Sequence, residues 1–68
     1  MPGSVARVTE LSAKSDVSFE DAIKTAITRA TQTLRGVTSA WVKEQEVDVA
    51  DGQITGYKVN VLITFVLE

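Results

Sequence analysis

Neither cysteine nor histidine occurs in this chain of 68 residues. Without cysteine there is no disulfide staple, and without either residue there is no thiolate or imidazole set for zinc. The same two gaps narrow the options for catalysis. A base or nucleophile would have to be a carboxylate, lysine or serine activated by its neighbours. The sequence contains no nucleophile elbow, glycine-rich phosphate loop or metalloprotease motif, so a non-enzymatic protein is expected. Charge of one sign is also lacking. Seven basic against nine acidic residues leave a net charge of −2, which argues against nucleic acid as a partner. No apolar run approaches the roughly 18 residues of a membrane span, and MPGSVARVTE has no apolar signal core. No membrane partner and a cytoplasmic location are therefore expected. The single proline lies in a loose opening, Met1 to Ser4. Size is the last shortage. Residues 1–68 make one domain, and a chain this short buries only about 60% of its unfolded surface. With no disulfide or zinc available, oligomerisation is the remaining aid to stability.

What is present is organised around a hairpin. Two long runs, Val37 to Ala50 and Gln53 to Leu67, are joined by Asp51-Gly52. Asp-Gly between alternating runs signals a type I′ turn, which needs positive φ at both central positions. With Ala50 facing Gln53, a regular register places Val42 opposite Val61, Ala40 opposite Ile63 and Thr38 opposite Phe65 on one face. The other face pairs Trp41 with Leu62, Ser39 with Thr64 and Gln45 with Lys58. Strands this long outreach any helix the chain can supply, so the hairpin tip should be covered by something else.

The helix is legible in Phe19, Ala22, Ile23, Ala26, Ile27, Ala30 and Leu34, which recur at the spacing of one apolar stripe. Ser18 suits the N-cap with Asp21 three residues on, and Gly36 suits the left-handed position after the C-terminus. The small residues of the stripe allow close approach to a sheet. Val5 to Ser12 reads as a short strand with weak alternation, its inner side unassigned, and Ala13 to Val17 as a polar connection. The order strand, helix, strand, strand gives an α+β fold: a three-stranded antiparallel sheet wrapped on one helix.

The second long strand changes phase. Ala40 and Val42 face the helix, but in a regular register the same side then carries Glu44, Glu46 and Asp48. Val47 and Val49 turn to the opposite side. Either a β-bulge or departure from the chain's own core towards a neighbour explains the switch; the neighbour is the reading adopted, because the Asp-Gly register needs no extra residue. Glu44, Glu46 and Asp48, with cross-strand Tyr57 and Thr55, are oxygen ligands suited to calcium or magnesium. Same-face neighbours lie about 7 Å apart, too far for one strand to chelate alone, so symmetry copies would have to converge. The competing reading is carboxylates that are solvated or paired with basic residues such as Arg29.

Taken together, ARVTELSAKS, SFEDAIKTAITRA, TLRGV, WVKEQEV and GYKVNVLITFVLE resemble the dodecin family in order, spacing and length over nearly the whole chain. The resemblance implies a β-α-β-β subunit assembling as a hollow homo-dodecamer that stores or sequesters a small ligand, typically flavin. In the family, paired flavins lie at two-fold axes between tryptophans of the second strand, and a third-strand glutamine hydrogen-bonds the ring. The family tryptophan stands four residues after the arginine that ends the helix, which here is Ser39, with Trp41 two residues on. The family glutamine follows an aromatic residue, and here Lys58 follows Tyr57. Both flavin-contact positions have changed, as in the members described as calcium dodecins. Trp41 keeps the strand face of Ser39 and offers a ring to the same cavity. Ser39, Trp41, Lys43, Gln45 and Lys58 on the face away from the helix form the candidate ligand set, an aromatic plane with an amide and ammonium groups suited to a flat anionic ligand. The plainer alternative is that Trp41 and Leu62 seal a subunit interface while the lysines face water. Three readings stay open: a dodecin-like cage with an altered flavin site, a flavin binder using Trp41, and a structural assembly binding calcium or magnesium.

Overall fold

A computed structural model describes residues 3–67. Its elements are β1 (Ala6–Ser15), α1 (Phe19–Thr33), β2 (Val37–Ala50) and β3 (Gln53–Val66). All pairings are antiparallel and the sheet order is β1-β3-β2, so the last strand is the central one. The β-α-β-β order, the three-stranded sheet and the single helix are those expected from the sequence. β1 is longer than expected. Its pairing with β3 runs on through Ala13↔Val59 and Lys14↔Lys58 to Ser15↔Tyr57. Lys14 and Ser15 have loop chemistry, but a central partner strand offers ladder hydrogen bonds that outweigh a weak local preference.

The corner from β1 into α1 is held by two serines. The buried Ser15 hydroxyl donates to Asp21 Oδ2 at 2.7 Å and accepts from the Val17 amide at 2.9 Å. Ser18 is the N-cap, its Oγ accepting from the Asp21 amide at 3.0 Å. Such a cap satisfies one of the helix's orphan donors. The helix ends at Leu34, and Gly36 follows at φ +73°. Gly36 is needed there for space as well as for its dihedral: a Cβ would lie 2.9 Å from the Val66 carbonyl oxygen. The Val66 amide donates to the Gly36 carbonyl at 2.9 Å, fastening the helix exit to the end of β3.

The core is a thin seam. Ala22, Ala26 and Ala30 meet Val59, Val61 and Ile63, all buried, with Phe19, Ile23, Ile27 and Leu34 packed at its margin. Three alanines in line bring the helix backbone close to the sheet. Phe19 meets Tyr57 edge-on, with ring centroids 5.1 Å apart. A 15-residue helix spans about 22 Å, whereas 14-residue strands span about 46 Å. The helix therefore covers only part of one sheet face. Val49 and Ile54 near the hairpin tip are 62% and 53% exposed. Asp51 (φ 53°) and Gly52 (φ 74°) form the tip with Ala50 facing Gln53, as a type I′ turn requires.

The regular register does not persist along the hairpin. Ser39↔Thr64, Ala40↔Ile63, Trp41↔Leu62 and Val42↔Val61 pair as expected. Irregularities between Val37/Ser39, Val42/Glu44 and Asp48/Val49 then displace the rest. Lys43 and Thr38 are the extra residues on β2, and Thr55 is the extra residue on β3. Phe65 consequently faces Val37 instead of Thr38, Gln45 faces Val59 instead of Lys58, and Lys58 faces Glu46. This corrects the explanation of the phase switch. It comes from a bulge at Lys43, reversed near the tip at Thr55, and not from the strand leaving its own core. The two bulges cancel in residue count, so the turn gives no sign of either.

Candidate functional site

The bulges decide which side chains share a face. Val59, Val61 and Ile63 face the helix, so their neighbours Lys58, Asn60, Leu62 and Thr64 point to the outer face. Cross-strand pairing then sorts the rest into rows on that outer face. Val8, Thr64 and Ser39 form one row, followed by Glu10, Leu62 and Trp41, by Ser12, Asn60 and Glu44, and by Lys14, Lys58 and Glu46. Gly56 and Asp48 form the last.

The two sets of candidate residues therefore merge. Glu44, Glu46 and Asp48 do not lie on the helix side beyond Val42; they lie outward, with Trp41, Ser39 and Lys58. Gln45, expected outward beside Lys58, pairs with Val59 on the helix side, though it borders the outer hollow described below. Val47 faces the helix side opposite Tyr57. Tyr57 packs on Phe19 and offers no oxygen to the carboxylates, and Thr55 is taken up in the tip bulge.

On this face each carboxylate has a partner within the chain. Lys14 Nζ lies 2.8 Å from Asp48 Oδ2, Lys58 Nζ 3.0 Å from Glu46 Oε1, and Lys43 Nζ 3.4 Å from Glu10 Oε1. Asn60 Nδ2 donates to Glu44 Oε1 at 3.1 Å. The partners are thus lysines and an amide of neighbouring strands, and not Arg29. The pair lies directly over Gly56, where a Cβ would stand 2.8 Å from Lys14 Cε and 3.1 Å from Asp48 Oδ2. The Lys14 ammonium holds the Asp48 carboxyl below its usual range. Glu46, and then Asp48, hold the Lys58 ammonium above its own.

Between these rows lies an open hollow of about 500 Å³, bordered by Ser12, Glu44, Glu46, Lys58 and Asn60. Towards the chain ends Val8 and Trp41 are both about half exposed, with Leu62 between the strands they occupy, among Ser39, Thr64 and Glu10. Trp41 and Ser39 share this face as the two-residue step requires. The arrangement offers a stacking ring beside a polar hollow of donors and acceptors. Among the described residues no three acidic groups converge on a common point.

Glu10, Ser12, Lys14 and Asn60 belong to this face but are absent from the candidate sets read from the sequence. Three of them lie on β1, whose alternation is too weak to phase, and only its ladder with β3 places them. Asn60 was legible on the outer side of β3, but its bond to Glu44 depends on the bulge.

A single helix on one face of the β-α-β-β antiparallel sheet leaves the other face uncovered, with its aromatic and paired polar residues. The Dodecin family model matches residues 5–68, and the chain belongs to that family. Solved structures similar to it include a dodecin from Streptomyces coelicolor, with 34% identity and a TM-score of 0.90, covering 100% of this chain and 97% of that one. The tt0972 protein of Thermus thermophilus is 33% identical with a TM-score of 0.90, covering 97% of each chain. A calcium-chelating antigen of Mycobacterium tuberculosis, calcium dodecin, is 29% identical with a TM-score of 0.80, covering 96% of this chain and 93% of that one. Among curated protein sequences none matches. Among the described residues no helix is long and apolar enough to cross a membrane.

Proposed function

We propose that this chain is a non-enzymatic, cytoplasmic subunit of a homo-dodecameric cage that holds a small planar ligand on its outer sheet face, near two-fold axes, with the usual flavin site altered. The observation that carries the reading is the position of Trp41. It is a half-exposed ring on the uncovered face, beside Ser39 and one row from the polar hollow. A ring left in water opposite Leu62 is exposed apolar surface of the kind that marks a contact site. Val49 and Ile54, bare at the tip, call for cover by neighbouring copies in the same way.

Ser39 in place of the family's stacking ring, and Lys58 in place of its glutamine, weaken flavin binding. Loss of a stacked ring costs about 1–3 kcal/mol, and each lost hydrogen bond about 0.5–1.5 kcal/mol. Riboflavin should therefore bind two or more orders of magnitude more weakly than to flavin-binding dodecins. A fluorescence-quenching titration tests this, and nanomolar affinity would show Trp41 to be a full replacement for the missing ring.

The second reading, a calcium or magnesium assembly, draws on the likeness to calcium dodecin and on Glu44, Glu46 and Asp48 sharing one face. Within one chain these carboxylates are occupied by Asn60, Lys58 and Lys14, so an ion would need oxygens from several copies and would displace ammonium groups. Equilibrium dialysis separates the two readings. Colourless protein retaining calcium supports the second, and protein that quenches riboflavin without retaining calcium supports the first.

A further inference from the structure

The outer face is more acidic than the lysines on it suggest. Among the described residues Lys14, Lys43 and Lys58 stand against Glu10, Glu44, Glu46 and Asp48, leaving one negative charge in excess, and every one of those lysines is within 3.4 Å of a carboxylate oxygen. Among the described residues no ammonium on this face stands without a carboxylate beside it. Lys58 matters most, because it borders the hollow together with Glu46, its partner at 3.0 Å. Lys14 is turned away over Gly56 towards Asp48, and Lys43 reaches across the sheet to Glu10. A regular register would have left Lys58 opposite the neutral Gln45. The bulge at Lys43 puts Glu46 there instead.

Resting on the reading of this face as the ligand site, we propose that it selects uncharged or cationic planar aromatic ligands over anionic ones, and that Glu46 sets the selectivity by occupying the Lys58 ammonium. A flat ring stacks on Trp41 while its polar edge meets Asn60, Ser12 and Glu44 in the hollow, groups that serve a neutral or donor-rich edge. A ring carrying phosphate or carboxylate meets the excess negative charge and has to compete with Glu46 for Lys58. A cationic ring gains from the same field and from the face of the tryptophan.

The test uses three planar probes on the assembled protein: riboflavin (uncharged), its phosphate ester FMN (anionic) and proflavine (cationic). Each is titrated against the parent, Glu46→Gln, Glu44→Gln and Lys58→Gln, at low and high salt, with circular dichroism and size exclusion to show that each variant is folded and assembled. The parent should bind riboflavin and proflavine more tightly than FMN. Glu46→Gln frees Lys58 and should improve FMN relative to riboflavin by roughly fivefold at low salt, as expected for one surface charge pair, with the gain lost at high salt. Glu44→Gln removes the same charge but leaves Lys58 paired, so its effect on the ratio should be smaller. Lys58→Gln should lower FMN affinity relative to riboflavin, which keeps the proposal testable if Glu46→Gln fails to assemble. FMN binding at least as well as riboflavin to the parent would overturn the selectivity, and equal shifts in Glu44→Gln and Glu46→Gln would overturn its assignment to Glu46, each leaving the ligand face intact. Absence of binding by all three probes would overturn the ligand face itself, and the selectivity with it.

Discussion

Replacing Trp41 by alanine should weaken assembly far more than folding. In the isolated subunit Trp41 is 52% exposed. A tryptophan has about 250 Å² to bury, so roughly 130 Å² of mostly apolar surface is available to a neighbouring copy. At about 25 cal/mol per Å² this amounts to about 3 kcal/mol per site, in the range of an interface hot spot. Within the subunit the ring stands opposite Leu62 across the strands, on the face away from the helix, so its loss leaves the Ala22–Val61 seam untouched. The assay is dissociation by dilution or heat, followed by size exclusion, for the parent, Trp41→Ala and Lys58→Gln. Trp41→Ala should dissociate at lower temperature and higher concentration, while its dissociated subunit keeps the parent's secondary structure. Lys58→Gln should assemble like the parent, because Lys58 is held by Glu46 of its own chain. Equal assembly of Trp41→Ala and parent would refute the area argument and leave the ring as a ligand platform alone. Weak assembly of Lys58→Gln would show that the lysine bridges subunits.

The other expectations concern the subunit and its state. The parent should sediment as a large closed species, and a folded 7.3 kDa particle at micromolar concentration would contradict the oligomer. Gly36→Ala adds a left-handed penalty of about 1–2 kcal/mol to a 2.9 Å clash with the Val66 carbonyl, so chemical denaturation should show a loss beyond that penalty; a neutral result would mean that the exit after α1 relaxes freely. Ala26→Leu overfills the seam between helix and sheet and should cost about 1–3 kcal/mol, whereas Lys24→Leu on the exposed side should not. The pH dependence has two limbs. Asp48, lowered by Lys14, adds stability above its ordinary value of 3.8 that is lost as pH falls through its folded pKa. Lys58, raised by Glu46, adds stability below its ordinary value of 10.5 that is lost as pH rises through its folded pKa. Both contributions are present between those values, and melting curves should show Asp48→Asn flattening part of the acid limb only.

The helix and the hairpin turn were determined locally, which is why the sequence alone disclosed them. The Ala22–Ala26–Ala30 stripe, the Ser18 cap, Gly36 and Asp51-Gly52 each act through contacts a few residues apart, and a period or a dihedral requirement is enough to read them. The order of elements followed, and with it the family resemblance. Tertiary structure alone decided the rest. Strand length for β1 came from the central strand beside it, since its own residues Lys14 and Ser15 favour a loop. The composition of the outer face came from the bulges at Lys43 and Thr55. A one-residue slip exchanges the two faces of a strand, so Glu44, Glu46 and Asp48 crossed to the side of Trp41 and Lys58, while Gln45 crossed away from it. The turn carries no signal for that slip, because the two insertions cancel before it, and the phase change along β2 is open to more than one cause. What holds it is the fit of Gln45 and Val47 beside Val59 and Tyr57 on one face, and the bonds of Lys14, Lys58 and Asn60 to the carboxylates on the other.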